Sequence, residues 1–314
     1  MAKDDAGATT MPQWTQAMVY RLGAGALMLG ALLLALAGSA PAWAEDGHPA
    51  VAWNMVRSPS PGVAQAIGGY AHGCLAGGVA LALDGTGYQV MRPARRRYFG
   101  HPVLIDYLQK LGKRAHEARL PPIALGDLAQ PRGGPMNFGH ASHQIGLDVD
   151  IWLRLDLPPL PRDRRDSLKE VTLVDGASHR VSRPGWSDAH AKLIRLAAAD
   201  PRVERIFVNP AIKYELCRKA GADRAWLRLI RPWYGHDDHF HVRLACPHDS
   251  PLCEPQKPLP EGDGCGEELI SWMPEAHPPL PKRPGTHHPA PDPELPAACY
   301  RVILASEPAL GLSR

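Results

Sequence analysis

The segment His239-Phe240-His241-Val242-Arg243-Leu244 alternates polar and apolar side chains without a break. A period of two is a strand with unlike faces: Phe240, Val242 and Leu244 toward a core, and His239, His241 and Arg243 toward a site. Far upstream, Leu147-Asp148-Val149-Asp150-Ile151 repeats the pattern and puts both carboxylates on one face. His140 and His143 precede that stretch, and His236 precedes the first one. Neutral imidazoles with a carboxylate are ligands that Zn²⁺ prefers. The two segments lie so far apart that the fold must join them, which is the build of a catalytic site rather than of a compact zinc finger.

Catalytic zinc takes three protein ligands and leaves one position open. His143, Asp150 and His241 make such a set. His239, on the same strand face as His241, is placed to act as general base or to stabilise an oxyanion. His236 and Asp148 are placed to orient ligands from behind. Rival hydrolase motifs are absent. His116-Glu117 lacks the second His of a zincin helix. No Gly-x-Ser-x-Gly elbow or Ser-x-x-Lys occurs.

The flanks read as a mixed fold. Leu104, Ile105, Leu108 and Leu111 have helical spacing between Pro102 and Gly112, so a helix is expected there, ending at the glycine. Residues 121–126 and 205–209 read as strands, and 68–87 as short strands and turns. Ser187 caps an expected helix to Ala199, and a second runs from Pro210 to Ala220, followed by Gly221. Residues 45–70 read as an extended lead-in and 156–185 as an insertion. From 274 onward proline dominates, which sustains neither helix nor sheet interior.

The 314 residues give room for one large domain or two small ones, and 45% hydrophobic with 21% charged content supports an ordinary core. A net charge of +3 without a Lys/Arg run argues against nucleic acid as partner. Arg21 is followed by an apolar run to Ala37 and then by Ala42-Trp43-Ala44, the pattern of a secretory signal cleaved after Ala44. The other reading of that run is an uncleaved anchor. After cleavage no membrane span is expected. The six cysteines, Cys74, Cys217, Cys246, Cys253, Cys265 and Cys299, all follow the cleavage site. An even count in an exported chain points to three disulfides, of open connectivity.

Residues 139–150 and 231–244 resemble the penicillin-insensitive murein endopeptidases, as do Gln89-Val90-Met91-Arg92, 96–102, 205–213 and 262–266. The likeness spans roughly 55–275, with a weaker one to the wider clan of D-Ala-D-Ala dipeptidases, lysostaphin-type endopeptidases and the hedgehog domain. It implies an α+β fold, a small antiparallel β-sheet flanked by helices and loops and stabilised by disulfides. Taken with the signal and proline patterns, it divides the chain into a signal peptide (1–44), a zinc metallopeptidase domain (45–275) and a Pro-rich tail (276–314). It implies hydrolysis of D-alanyl–meso-diaminopimelyl cross-links of peptidoglycan in the periplasm. By position, His143, Asp150 and His241 would hold Zn²⁺, with His239 and His236 catalytic. His140, Asp175 and His179 would be further metal ligands at a second site. The implied disulfides are Cys74–Cys299, Cys217–Cys265 and Cys246–Cys253. Two readings compete: a D,D-carboxypeptidase or dipeptidase of the same clan, and a non-catalytic periplasmic protein that binds zinc or the wall.

Overall fold

The computed structural model describes residues 49–183, 185–273 and 294–306. In chain order, helix α1 (Pro49–Met55) leads into the hairpin of β1 (Gln65–Gly69) and β2 (His72–Ala76). Next come β3 (Val79–Ala80), β4 (Asp84–Gly85), β5 (Tyr88–Val90), β6 (Phe99–Gly100), α2 (Pro102–Glu117), β7 (Ile123–Leu125) and β8 (Asp148–Trp152). The expected insertion holds a small hairpin, β9 (Val174–Asp175) and β10 (Arg180–Val181). The chain continues through α3 (Asp188–Ala198), β11 (Val203–Val208), α4 (Pro210–Lys219), β12 (Ile230–Pro232), β13 (His239–Leu244), α5 (Glu267–Trp272) and α6 (Ala297–Leu304). The expected signal segment and most of the tail lie outside the described residues.

The α+β class holds. A seven-stranded sheet runs β12-β11-β13-β8-β7-β5-β4. Its centre, β11-β13-β8-β7, is antiparallel, while β11–β12 and β5–β7 pair in parallel. The alternation read from sequence sets its two faces. Phe240, Val242, Leu244, Val149, Ile151, Ile206 and Val208 are fully buried in the main core. Leu104, Leu108 and Leu111 of α2 and Leu193, Ile194 and Ala197 of α3 belong to the same core, so these amphipathic helices back the sheet. The opposite face is left for the polar residues.

Helix α2 runs past Gly112 to Glu117, beyond the stop expected from sequence. A Cβ on Gly112 would come within 2.6 Å of the Thr86 carbonyl oxygen and 2.8 Å of the Tyr88 ring. The glycine lets the helix cross the β4–β5 turn and is not a cap. Helix α3 starts at the expected Ser187, and the structure adds a capping box in which Ser187 and His190 are reciprocally bonded. In α4 the Asn209 Oδ1 accepts from Ala211 N–H at 2.9 Å, while its Nδ2 donates to the Gly235 carbonyl at 3.1 Å. Asn209→Ala should lower stability by about 1 kcal/mol, as N-caps generally do. A denaturation midpoint unchanged from wild type would refute that.

Part of the lead-in is helix α1 rather than extended chain. The Pro-rich segment also ends in structure: α6 docks on β2, and Leu295, Cys299 and Val302 are buried with Trp53, Ile67 and Cys74 in a second small core. Arg132, itself buried, donates to the carbonyls of Val302, Ile303 and Ala305 at the end of α6. Proline cannot continue a helix but can precede one, and Pro296 stands at the α6 N-cap. Three disulfides, Cys74–Cys299, Cys217–Cys265 and Cys246–Cys253, have Cα separations of 5.6, 5.8 and 5.7 Å. No helix among the described residues is long and apolar enough to cross a membrane.

Candidate metal centre

Strand register joins the two sequence segments. Asp150 lies opposite His241, Asp148 opposite Arg243 and Trp152 opposite His239. Opposed residues project from the same face. β11 widens that face, with Phe207 opposite His241 and Arg205 opposite Arg243.

His143 arrives from the loop before β8 with a left-handed backbone, φ 70°. That conformation costs a residue with a Cβ about 1–2 kcal/mol. Asp148 helps hold it, since its Oδ2 accepts from the His143 N–H at 3.1 Å. The same carboxylate accepts from Arg243 Nε and Nη2 at 2.8 and 3.0 Å and lies 3.1 Å from His241 Nε2. Burial opposes its charge, yet Arg243 and His241 hold its carboxyl far below the usual range. Asp148 thus stands against both His143 and His241.

Asp150 is the hub. Its Oδ1 lies 3.3 Å from His143 Nε2, 3.1 Å from His241 Nδ1 and 3.7 Å from His239 Nε2, and its Oδ2 is 3.4 Å from His140 Nδ1. Asp150 Oδ1 and both ring nitrogens of His143 are buried without a hydrogen-bond partner. Orphaned buried polar atoms are costly unless something pairs with them. Imidazole nitrogens around a carboxylate oxygen fit a divalent transition metal. His140, His143 and Asp150 bring ligating atoms within 4.8 Å of one another, and His241 adds a further nitrogen from β13.

Around this hub stand groups with other work to do. His239 Nδ1 donates to Asp238 Oδ1 at 2.5 Å, which leaves Nε2 turned toward Asp150. Burial opposes protonation of His239, but the Asp150 and Asp238 carboxylates raise its pKa to about 9. His236, ring centroid 4.9 Å from that of His239, is pushed down to about 4 by burial and by His239 and His241. Its backbone is also left-handed, φ 48°. His140 turns Nε2 to Asp127 Oδ2 at 3.2 Å. Asp127 also accepts from Arg95 and Arg97 at 3.0 and 2.8 Å. Against burial, His140 and the two arginines hold its carboxyl at about 2. Sequence reasoning missed Asp127, Arg95 and Arg97: no spacing ties them to the histidines, and only the fold places them behind His140.

Asp175 and His179 are not drawn into the cluster. Both are exposed on the β9–β10 hairpin, where Asp175 Oδ1 accepts from the Ser178 N–H at 2.7 Å.

A pocket of about 440 Å³ opens beside the hub, walled by His140, Phe207, Trp233, His236, His241 and Arg243. Its aromatic wall continues outward, Phe207 to Trp233 at 5.6 Å and Trp233 to Trp272 at 5.8 Å between ring centroids. A cavity of about 490 Å³ near Leu153, Leu173 and His190 contains none of the cluster and is set aside as a site.

A buried histidine–carboxylate cluster, opening on a peptide-sized cleft from the polar face of a mixed sheet, has the build of a metallopeptidase centre. The family model for penicillin-insensitive murein endopeptidases matches residues 66–304. A protein of that description from Haemophilus influenzae is 50% identical over 260 residues, covering 80% of this chain and 87% of the relative. Those from Yersinia enterocolitica and Klebsiella pneumoniae are 46% and 45% identical, each over 86% of this chain and 95% and 96% of their own lengths. The chain belongs to the penicillin-insensitive murein endopeptidase family, and it is a peptidase.

Proposed function

We propose that this chain is a zinc-dependent murein D,D-endopeptidase of the periplasm, which hydrolyses D-alanyl–meso-diaminopimelyl cross-links. The carrying observation is the convergence of His143 Nε2 and His241 Nδ1 on one orphaned oxygen of Asp150, with His239 beside it. We assign the zinc ligands to His143, Asp150 and His241. His140 is a weaker candidate, because it faces the other Asp150 oxygen and its second nitrogen is already engaged with Asp127. Asp175 and His179 would form at most a separate accessory site on the surface. When bound, zinc supplies Lewis-acid polarisation of the scissile carbonyl and lowers the pKa of water to about 7.

The chain's own residues supply the remainder. Asp148 stands 3.1 Å from His241 Nε2 and backs the ring by charge, on the side away from the Nδ1 that faces Asp150. Asp238 holds His239 at Nδ1, and with Asp150 committed to zinc one of the two carboxylate charges that raise its pKa is drawn off, leaving Nε2 able to take a proton from water and pass it to the leaving nitrogen. His236 is kept neutral at the rim and spends its one N–H on the Tyr234 carbonyl at 3.2 Å, which fixes its ring beside His239. A hydrolase built this way needs no serine nucleophile and should ignore β-lactams. Export before folding is supported by the signal pattern and by the three disulfides.

The testing experiment is mass spectrometry of purified cross-linked dimers after incubation with the mature protein. Conversion to monomers that stops with chelator and persists with penicillin is expected. Release of terminal D-Ala from monomeric pentapeptides, with dimers untouched, would replace this reading by the carboxypeptidase. His239→Ala should keep one equivalent of zinc while losing about 10²- to 10⁴-fold in kcat. Full turnover by that variant would remove His239 from the proton-transfer role.

A further inference from the structure

The hub is flanked by two clefts of unlike charge. The smaller, about 30 Å³, is rich in carboxylates that already face cations: Glu170 pairs with Arg92 and Asp127 with Arg95. The 440 Å³ pocket has no aspartate or glutamate in its lining, yet two arginines, Arg205 and Arg243, border it.

The two arginines are in different states. Arg243 is spent: both Asp148 oxygens take its N–H groups, and its guanidinium lies 4.1 and 5.2 Å from the Tyr70 and Phe207 rings. Arg205 sits opposite it on the same sheet face. It has no ion pair among the described residues, its Nη2 donates to the Lys257 carbonyl, and its Nε is buried with no partner. Gln256, also in the lining, buries an unpartnered Oε1. A donor and an acceptor therefore stand unsatisfied at one pocket whose rear wall is His241.

We propose that this pocket receives the amine-side residue of the scissile bond, and that Arg205 binds the carboxylate on the carbon bearing the scissile nitrogen. This deepens the endopeptidase reading and rests on it. In a D-alanyl–diaminopimelyl cross-link that carboxylate is the anion nearest the cleaved bond. A guanidinium with free N–H groups is the side chain that grips a carboxylate with direction as well as charge. Gln256 is placed to meet a polar group next to it. Phe207 and Trp233 offer an apolar wall for the aliphatic arm of diaminopimelate. The same contact would grip a terminal D-Ala, so Arg205 selects for the carboxylate and the length of the wall for the longer residue. The bland alternative is that Arg205 merely ties down the Lys257 loop.

The test uses the full mature protein and two synthetic dimers, alike except that the amine-side carboxylate is free in one and a carboxamide in the other. Wild type should prefer the free acid by roughly 10- to 100-fold in kcat/KM, mostly through KM, as expected for one charge-assisted contact. Arg205→Gln should bring the ratio close to one with kcat nearly kept, and Arg205→Lys should restore part of it. Equal discrimination by wild type and Arg205→Gln overturns the subsite, even with cleavage intact. A second readout is calorimetric binding of the free-acid monomer to metal-free protein. Binding that Arg205→Gln loses, with no cleavage by any form, would sink the endopeptidase reading and with it the scissile-bond assignment, leaving Arg205 as a carboxylate-binding residue only. Binding unaffected by the substitution would overturn the subsite.

Discussion

The His241→Ala protein should fold, lose stoichiometric zinc, and cleave cross-linked dimers at least about 1000-fold more slowly, since several kcal/mol of charge stabilisation go with the metal. Its fold should survive because His241 projects from the polar face of β13. The neighbours that build the core, Phe240 and Val242, point the other way and stay buried. The loss should be large because His241 Nδ1 and His143 Nε2 share the same Asp150 oxygen, so no other donor on β13 can replace it. His239 comes nearest, but its Nε2 lies 3.7 Å from that oxygen against 3.1 Å for His241 Nδ1. Zinc content by plasma emission, circular dichroism and dimer turnover report the three expectations separately. Undiminished turnover in a folded, zinc-free variant would end the metal mechanism.

Asp148→Ala should act on stability as well as on the site. Asp148 is fully buried and neutralises Arg243, which is itself 7% exposed. Removing the carboxylate strands a buried guanidinium, a change that typically costs about 3–5 kcal/mol. In a chain of this size that lowers the melting temperature by roughly 6–20 °C. His241 loses its rear support at the same time, and zinc affinity should fall about 10- to 100-fold. The pairing makes a sharp check. Asp148→Ala combined with Arg243→Met removes both charges, so its stability should recover much of the single variant's loss. If the double variant is less stable than Asp148→Ala by the full cost of Arg243→Met alone, the two side chains are not coupled and the account fails.

Much of this was legible in local pattern. A period of two in 239–244 and 147–151 carried enough information to name both faces of β13 and β8, because a sheet with one face buried tolerates no register error. Ser187 before one helix and Pro210 at the start of another mark helix starts for reasons of backbone chemistry alone. Gly112 shows the limit. A glycine near a helix end reads as a stop, and only the approach of the Thr86 carbonyl, a contact across the fold, shows that it serves packing instead. Residue type and spacing suggest a metal set, but they say nothing of the partners of His140. Asp127, Arg95 and Arg97 have no periodic relation to it, and their meeting joins three segments far apart in sequence: the β5–β6 connection, the end of β7 and the loop before β8. Arg205 was visible only as part of a matching stretch. Its place opposite Arg243 is fixed by the β11–β13 register, which no single-strand pattern contains.

The disulfides are nested: 246–253 lies inside 217–265, and both lie inside 74–299. A chain threaded amino end first through a membrane delivers Cys74 long before its partner, which is the last cysteine of all. The first thiol to emerge must therefore stay uncommitted while four others pass, and its earliest available match, Cys217, is a wrong one. Correct closure comes only when Cys299 and helix α6 arrive. In a chain delivered that way, the small core shared by β2 and α6 closes last, after the strands that carry the histidines have already passed.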